Sequence, residues 1–492
     1  METRAAGKII DLVFSKGPVR PPNMVTSTEL KRAFSIPFAP QLIDLPRSTE
    51  TMQISGEDFT KMFGVARRWI KSDLFETSRA PDELIRQLML ARMGLIPGSY
   101  FESVGDVVSV LPSPLKPSAE EIAEKRARIS FWLESKNADY LYLKDLNVQN
   151  WLLGGLDFHE ITNTSVANFL VSRNPHDPVR IFINNIEHPR VQDEEMERGL
   201  GGSWRNIANL IIHPWDGQAN IIEAARGKTV IGDNDDLSFH SVHYSLTEAD
   251  ISRYEWLAQV ATAALVKQAY FINFGKDTEA EVAARITRTL IPHEIFPEVL
   301  LVAGGDKVVR TNHPIPRADA VMEQQAIMVL CARFRGYIVN VSRQVHVGPV
   351  SEELNRNLLN CAKIAATAQN MTYPGADVGD IFRHIAGMYR ELGDNSGVYE
   401  VHQGGPTGIG IREYLATKDH TDLVFPNQAF TWNPVFRTGK DKAKCEDTII
   451  TGKREGYRAR NLTVDPYGWW PMLKINIGSK EVPFDIPGIL VR

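Results

Sequence analysis

The sequence predicts an α+β protein in which an amino-terminal α/β domain precedes a duplicated unit of helix pair plus curved antiparallel sheet. Three observations predict it. A chain of 492 residues is too long for one ordinary core. The proline-rich connector VLPSPLKPSAEE closes an amino-terminal extension, residues 1–118, that carries no readable motif. Beyond it, one helix-turn-helix pattern occurs twice, each time followed by β-rich stretches.

After the connector, the helical EEIAEKRARISFWLESKNA and the β-type run DYLYLKDLNVQNWLLGG open the α/β domain, residues 119–246. The third region, residues 247–492, starts with Thr247, which with Asp250 makes a capping-box pattern before TEADISRYEWLAQVATAALVKQAYFI. NFGKDTEAEVAARI then supplies a turn, Asp277 as the expected cap and a second helix. The same order returns in SEELNRNLLNCAKIAATAQN and YPGADVGDIFRHI, with Asp377 as cap. Gly275 and Asp277 match Gly375 and Asp377 at an offset of 100, which points to internal duplication. Between and after the pairs lie EVLLVAGG, AIMVLCARFRGYIVNVSRQV, QAFTWNP and CEDTIIT. Two such halves folded face to face leave a cleft between them.

Composition excludes several classes. Lys and Arg number 55 against 60 Asp and Glu, so there is no polybasic excess for a nucleic acid. Asp11 interrupts the only apolar stretch of the opening, and no run is long enough to cross a bilayer, so neither a signal peptide nor a membrane anchor is expected. Cys331, Cys361 and Cys445 form no CxxC pair, which fits a reducing cytoplasm, and Cys331 within AIMVLCA reads as core packing. Asp233, Asp235, Asp236, His240 and His243 form an acidic and histidine-rich group whose spacing matches no standard metal site, and a polar interdomain loop is expected. Gly304-Gly305-Asp306 reads as a turn, since no GK[ST] helix follows.

Five segments in order carry a family resemblance. VLCARFRGYIVNVSR can be laid without gaps on the pattern Asp-x-Gly, four residues, Gly-Tyr-x-x-Asp-x-Thr-Arg; Asn312-His313-Pro314 precedes it, and HQGGPTGIGIREY, TWNP and KCEDTIIT follow. The chain resembles the creatinase, prolidase and aminopeptidase-P family of pita-bread proteins, in a branch with degenerate metal ligands. The resemblance spans residues 119–492 and implies a creatinase-type amino-terminal domain followed by a pita-bread domain.

Peptidases of that family hold two divalent ions with two aspartates, a histidine and two glutamates, because hard anionic oxygens balance the ionic charge and generate a metal hydroxide. The resembling positions here read Val329, Asn340, Thr407, Asn433 and Glu446, so one carboxylate survives. The expectation is no di-metal centre and no cofactor. His402 could shift into the histidine's place, since the loop carries an extra residue, but that rescues only one ligand.

A buried Glu446 then needs a cation, with Arg343 the leading candidate. Creatinase and ectoine hydrolase, which share the fold without the metals and cleave C–N bonds of small zwitterions, imply His313 as proton shuttle, with Glu446 and His402 as further catalytic candidates. Arg343, Arg412, Glu413, Asn340, Thr407 and Asn433 are the substrate-binding candidates, Arg412 for a carboxylate and the two asparagines as fixed dipoles.

The expected function is a metal-independent hydrolase or lyase acting near a C–N bond of a small amino-acid-derived or nitrogenous substrate, in a role suited to secondary metabolism. The alternatives are a catalytically dead binding module, like the histone-chaperone relative of this fold, or an Xaa-Pro metallopeptidase whose ligands lie elsewhere. The family implies a homodimer; no nucleic-acid or membrane partner is expected.

Overall fold

The computed structural model describes residue 114, residues 116–492 except 162–163, 218, 455–456, 466–469 and 479–481, and two paired strands, β1 (Met24–Thr26) and β2 (Thr51–Gln53). The rest of the 1–118 extension lies outside the described residues. The chain forms two compact units, residues 1–112 with 465–471 and residues 113–464 with 472–492. The second contains everything that follows. Among the described residues no helix is long and apolar enough to cross a membrane.

Helix α1 (Ala119–Ser135) starts where the Ser118 hydroxyl accepts the Glu121 amide at 3.2 Å. Strand β3 (Tyr140–Leu143) alternates, with Leu141 and Leu143 buried. The β-type run predicted to continue through NVQNWLL instead turns into helix α2 (Leu146–Leu152), because Asp145 caps it by accepting the Val148 amide at 3.0 Å. Strands β4 (Ala167–Ser172), β5 (Val179–Asn184), β6 (Ala208–His213) and β7 (Val230–Gly232) complete a mixed sheet of order β6-β5-β4-β3-β7. A short helix, α3 (Ser241–Tyr244), ends this domain.

The two helix pairs are α4 (Glu248–Phe271) with α5 (Glu279–Leu290), and α6 (Glu352–Met371) with α7 (Val378–Glu391). Thr247 and Asp250 form the expected capping box at α4. The duplication is visible in backbone detail. Gly275 and Gly375 have φ of 80° and 90°, the left-handed region glycine adopts without strain, and each amide bonds to a returning strand, to the Met322 carbonyl at 2.7 Å and the Val424 carbonyl at 2.8 Å. The caps, however, are offset by one residue. Thr278, not Asp277, caps α5, in a box with Glu281, while Asp377 caps α7 as expected. Asp277 instead accepts from the Asn273 amide and from Arg285.

Strands β8 (Phe296–Gly304), β9 (Gln325–Phe334), β10 (Tyr337–His346) and β14 (Ile489–Val491) form one sheet; β11 (Gly404–Thr407), β12 (Ala429–Trp432) and β13 (Asp447–Ile450) form the second, extended by Arg460–Asn461. They meet along β10. The Ser342 amide bonds the Glu446 carbonyl at 3.1 Å, the Ile338 amide bonds the Gly408 carbonyl at 2.8 Å, and the Thr448 hydroxyl both accepts from the Asn340 amide and donates to its carbonyl. Helices α6 and α7 bury Phe382, Ile385 and Tyr389 against Phe430, Trp432 and Phe436.

The amino-terminal domain is joined to the pita-bread part by a buried ionic cluster. Lys125 Nζ lies 2.5 Å from Glu121 and 2.7 Å from Asp250, and donates to the Trp151 carbonyl. Arg253 forks onto both oxygens of Glu121 at 2.6 and 2.7 Å. Asp250 also accepts from the Tyr337 hydroxyl at 2.6 Å, the Trp151 indole at 3.1 Å and the Thr247 amide at 2.9 Å. Burial pushes the Asp250 carboxyl up, but Lys125 and these donors outweigh it, holding the carboxyl below its ordinary range.

Candidate active site

Strand pleat decides which side chains face the cleft. In the β9–β10 ladder Cys331 pairs with Asn340 and Val329 with Ser342, and paired residues share a face, so these four stand together. On β12 and β13, Thr431 pairs with Thr448. The Asn340 side-chain amide donates to the hydroxyls of Thr407 and Thr431, both at 3.1 Å, and Thr431 shares a 2.9 Å bond with Thr448. Thr407 Oγ1 in turn lies 2.9 Å and 3.1 Å from the carbonyls of Gly410 and Ile411. The floor of the cleft is therefore a net of amides and hydroxyls.

That donor set does not fit a di-metal centre. Val329 offers no lone pair and packs with Leu301, Ala303, Val308 and Ile327 in an apolar wall. The Asn340 nitrogen and the Thr407 hydroxyl are committed to one another and to neighbouring chain, and Asn433 is neutral. Only Glu446 brings a charge, which is too little anionic oxygen for two divalent cations.

Arg343, expected beside Glu446, is one residue out of phase with Asn340 and Ser342. Its guanidinium binds Asp447 at 2.9 Å and the Thr463 carbonyl at 2.5 Å. The cations at Glu446 are Lys444, 3.2 Å from Oε2, and Arg412, 3.5 Å from Oε1. Burial pushes the Glu446 carboxyl up, yet Lys444 and Arg412 outweigh that and hold it below its ordinary range. Sequence reasoning missed Lys444, Ser342, Thr431 and Thr448. Each lies two residues from a candidate, so the period of a strand could have found them.

His402 lies beside this cluster, its ring centroid 6.5 Å from that of His313, which is exposed. Burial, together with the charges of Arg412 and Lys444, pushes the His402 imidazole down to about 4, so the ring is neutral at physiological pH. Its Nδ1 is buried without a hydrogen-bond partner, as are Asn340 Oδ1, Asn433 Oδ1, Ser342 Oγ and Arg412 Nε. Buried polar atoms of this kind are costly unless a bound molecule meets them. Lys442 donates to the Thr311 carbonyl at 2.8 Å and to Asn312 Oδ1 at 3.2 Å, fixing the segment that ends at His313. Burial and the neighbouring Lys444 push the Lys442 ammonium down to about 8. The Cys331 thiol, pushed up to about 12 by burial and the Glu446 charge, stays protonated.

The glycine-rich loop serves the chain itself more than a ligand. A Cβ on Gly404, whose φ is 114°, would stand 2.0 Å from the Thr431 carbonyl oxygen, and one on Gly405 would stand 2.5 Å from that of Tyr414. Glu413, expected at the substrate, takes another direction: its Oε1 accepts the amides of Ile409 and Gly410, both at 3.1 Å, and lies 3.8 Å from His243 Nδ1. Of the polar group at 233–243, the aspartates build turns. Asp233 accepts the amides of Lys144 and Asp145, Asp235 that of Gly232, and Asp236 that of Ser238.

The profile of metallopeptidase family M24 matches residues 255–453. No curated protein matches the sequence. Among solved structures, prolidase from Pyrococcus horikoshii superposes with a TM-score of 0.56 at 15% identity, over 70% of this chain and 98% of that one. X-Pro aminopeptidase from Thermotoga maritima gives 0.54 at 16%, over 70% and 98%. The N-terminal domain of FACT complex subunit SPT16 from Cicer arietinum gives 0.53 at 13%, over 70% and 96%. The chain thus carries an M24 domain within the pita-bread fold of the creatinase, prolidase and aminopeptidase-P family.

Proposed function

We propose that the protein is a metal-independent, peptidase-like enzyme that acts near a C–N bond of a small amino-acid-derived or nitrogenous substrate. The observation that carries this reading is the buried set of Arg412, Lys444 and Glu446 beside a neutral His402 whose Nδ1 lacks a partner. Two cations against one carboxylate leave the cluster positive, which favours a substrate carboxylate at Arg412 and Lys444. The apolar wall around Val329 suits an aliphatic portion of the same molecule.

A neutral imidazole in this place accepts a proton. For a hydrolysis, water adds to the carbonyl carbon while its proton passes to His402. The C–N bond then breaks, and His313 returns a proton to the leaving nitrogen. Arg412 Nε, a buried donor without a partner, faces the negative charge that develops on oxygen. Asn340, Thr407 and Asn433 shape the floor, and Arg343 supports the sheet from behind. A role in secondary metabolism and a cytoplasmic homodimer belong to the same proposal.

The test is incubation with a pool of N-acylated and N-alkylated amino acids and dipeptides, read by mass spectrometry, for the native chain, His402→Ala, His313→Ala and Glu446→Gln. Turnover by the native chain and a loss of about 100-fold or more in His402→Ala is the expected result. Identical product profiles for all four proteins would remove the assigned roles. Capture of an anionic compound without conversion would favour a binding module instead.

A further inference from the structure

His240 and His243 stand three residues apart, on either side of the junction between the turn Leu237–His240 and α3, a spacing that places both on one face. Glu413 reaches them from the glycine-rich loop. One ligand-type atom from each of the three lies within 4.8 Å of the others. Around a tetrahedral ion with bonds near 2.1 Å, donors are about 3.4 Å apart, so closing the set takes side-chain adjustment of roughly 1 Å or less.

A second observation points to a ligand. His243 is 1% exposed, and both of its ring nitrogens lack a hydrogen-bond partner. A neutral imidazole carries one donor and one acceptor, and leaving both unmet in the interior is costly. The surroundings hold the ring still. Trp151, Phe239 and Tyr244 pack edge-on at centroid distances of 5.8, 6.5 and 5.6 Å. Tyr244 is braced by Phe425 at 5.8 Å, and the Asp236 cap is tied to Lys136 at 2.6 Å.

Glu413 is equally fixed. Its amide donates to the Pro406 carbonyl at 2.9 Å, and its carboxylate holds the Ile409 and Gly410 amides, so the loop 406–413 closes on it. Ligands held by such outer contacts are preorganised for an ion. Two imidazoles and one carboxylate, with a position left for water, match the borderline preference of zinc and its neighbours rather than calcium or magnesium.

We infer that His240, His243 and Glu413 form a mononuclear zinc-type site that clasps the glycine-rich loop to the amino-terminal domain. An ion there would fix the backbone on which Arg412, the next residue, projects to Glu446, so its role is positioning. The inference rests on this geometry and not on the proposed activity.

Tag-free, full-length protein stripped with chelator and loaded with zinc or cobalt tests it, by elemental analysis and by the visible spectrum of the cobalt form. The expected result is one ion per chain with the intense absorption of four-coordinate cobalt. Affinity should fall about 100-fold in His243→Gln and in His240→Ala, a half-buried position that protects the test should His243→Gln misfold, and remain unchanged in Glu446→Gln. No stoichiometric ion in the native chain, native affinity kept in both histidine variants, or loss in Glu446→Gln would each overturn the inference. None of these outcomes bears on whether His402 and Arg412 turn over a substrate.

Discussion

Two buried polar clusters in this protein obey different rules. At the domain joint, Lys125, Arg253, Glu121 and Asp250 are matched cation for carboxylate, with Tyr337 and Trp151 supplying further donors to Asp250. In the cleft, Arg412 and Lys444 face one Glu446 at longer range, and His402 Nδ1, Asn340 Oδ1, Asn433 Oδ1, Ser342 Oγ and Arg412 Nε lack hydrogen-bond partners. A satisfied cluster specifies a structure, whereas an incompletely satisfied one holds polar capacity for something that binds.

The largest effect is expected at the joint. Asp250→Ala leaves Lys125 buried beside one remaining carboxylate that it shares with Arg253, and strands Tyr337 and the Trp151 indole. Breaking a buried pair from one side costs roughly 3–5 kcal/mol. A chemical denaturation midpoint for Asp250→Ala within error of the native value would show that the joint adds nothing. Arg412→Ala should cost far less stability, because its ion pair is long, while turnover is lost.

The fold was legible because it rests on backbone rules that recur: capping at Thr247 and Asp377 and the glycine turns at 275 and 375. The single-residue slip between Thr278 and Asp277 was not, since both residues can cap and only the returning strand at Val321 selects one. At the candidate site residues, side-chain direction was not legible. Arg343 lies one residue from Ser342, and in a strand one residue reverses the face, whereas Glu413 sits in a loop that bends back so that its carboxylate accepts the Ile409 and Gly410 amides. The spacing of His240 and His243 matches no standard metal site, and Glu413, which the fold brings beside them, is 170 residues beyond His243, so no local pattern could join the three.

Protonation of His402 makes the cleft sensitive to pH. The His402 pKa of about 4 lies below that of an ordinary histidine, so the folded state favours the neutral ring. Its contribution to stability is complete above about pH 6.5 and is lost as pH falls from there through 4, where the ring protonates beside Arg412 and Lys444. The same titration removes the proton acceptor. Turnover should keep an acid limb near pH 4 instead of 6.5, measured as kcat/KM against pH. A limb at 6.5 would remove His402 as the base.

The smallest effect expected is at Lys442, which contacts no cleft group directly but ties Thr311 and Asn312 to the hairpin before Glu446. Lys442→Met keeps the length of the stem and deletes the two bonds. One of these is to a backbone carbonyl at a half-buried site, so the stability loss should be about 1 kcal/mol. Freed from that tie, the His313 segment would sample positions away from His402, and misplacement of a proton carrier lowers kcat more than it raises KM. A fall of about threefold to tenfold in kcat with KM unchanged is expected. An equal fall for substrates whose leaving group needs no proton would show that Lys442 acts on the cleft as a whole and not through His313.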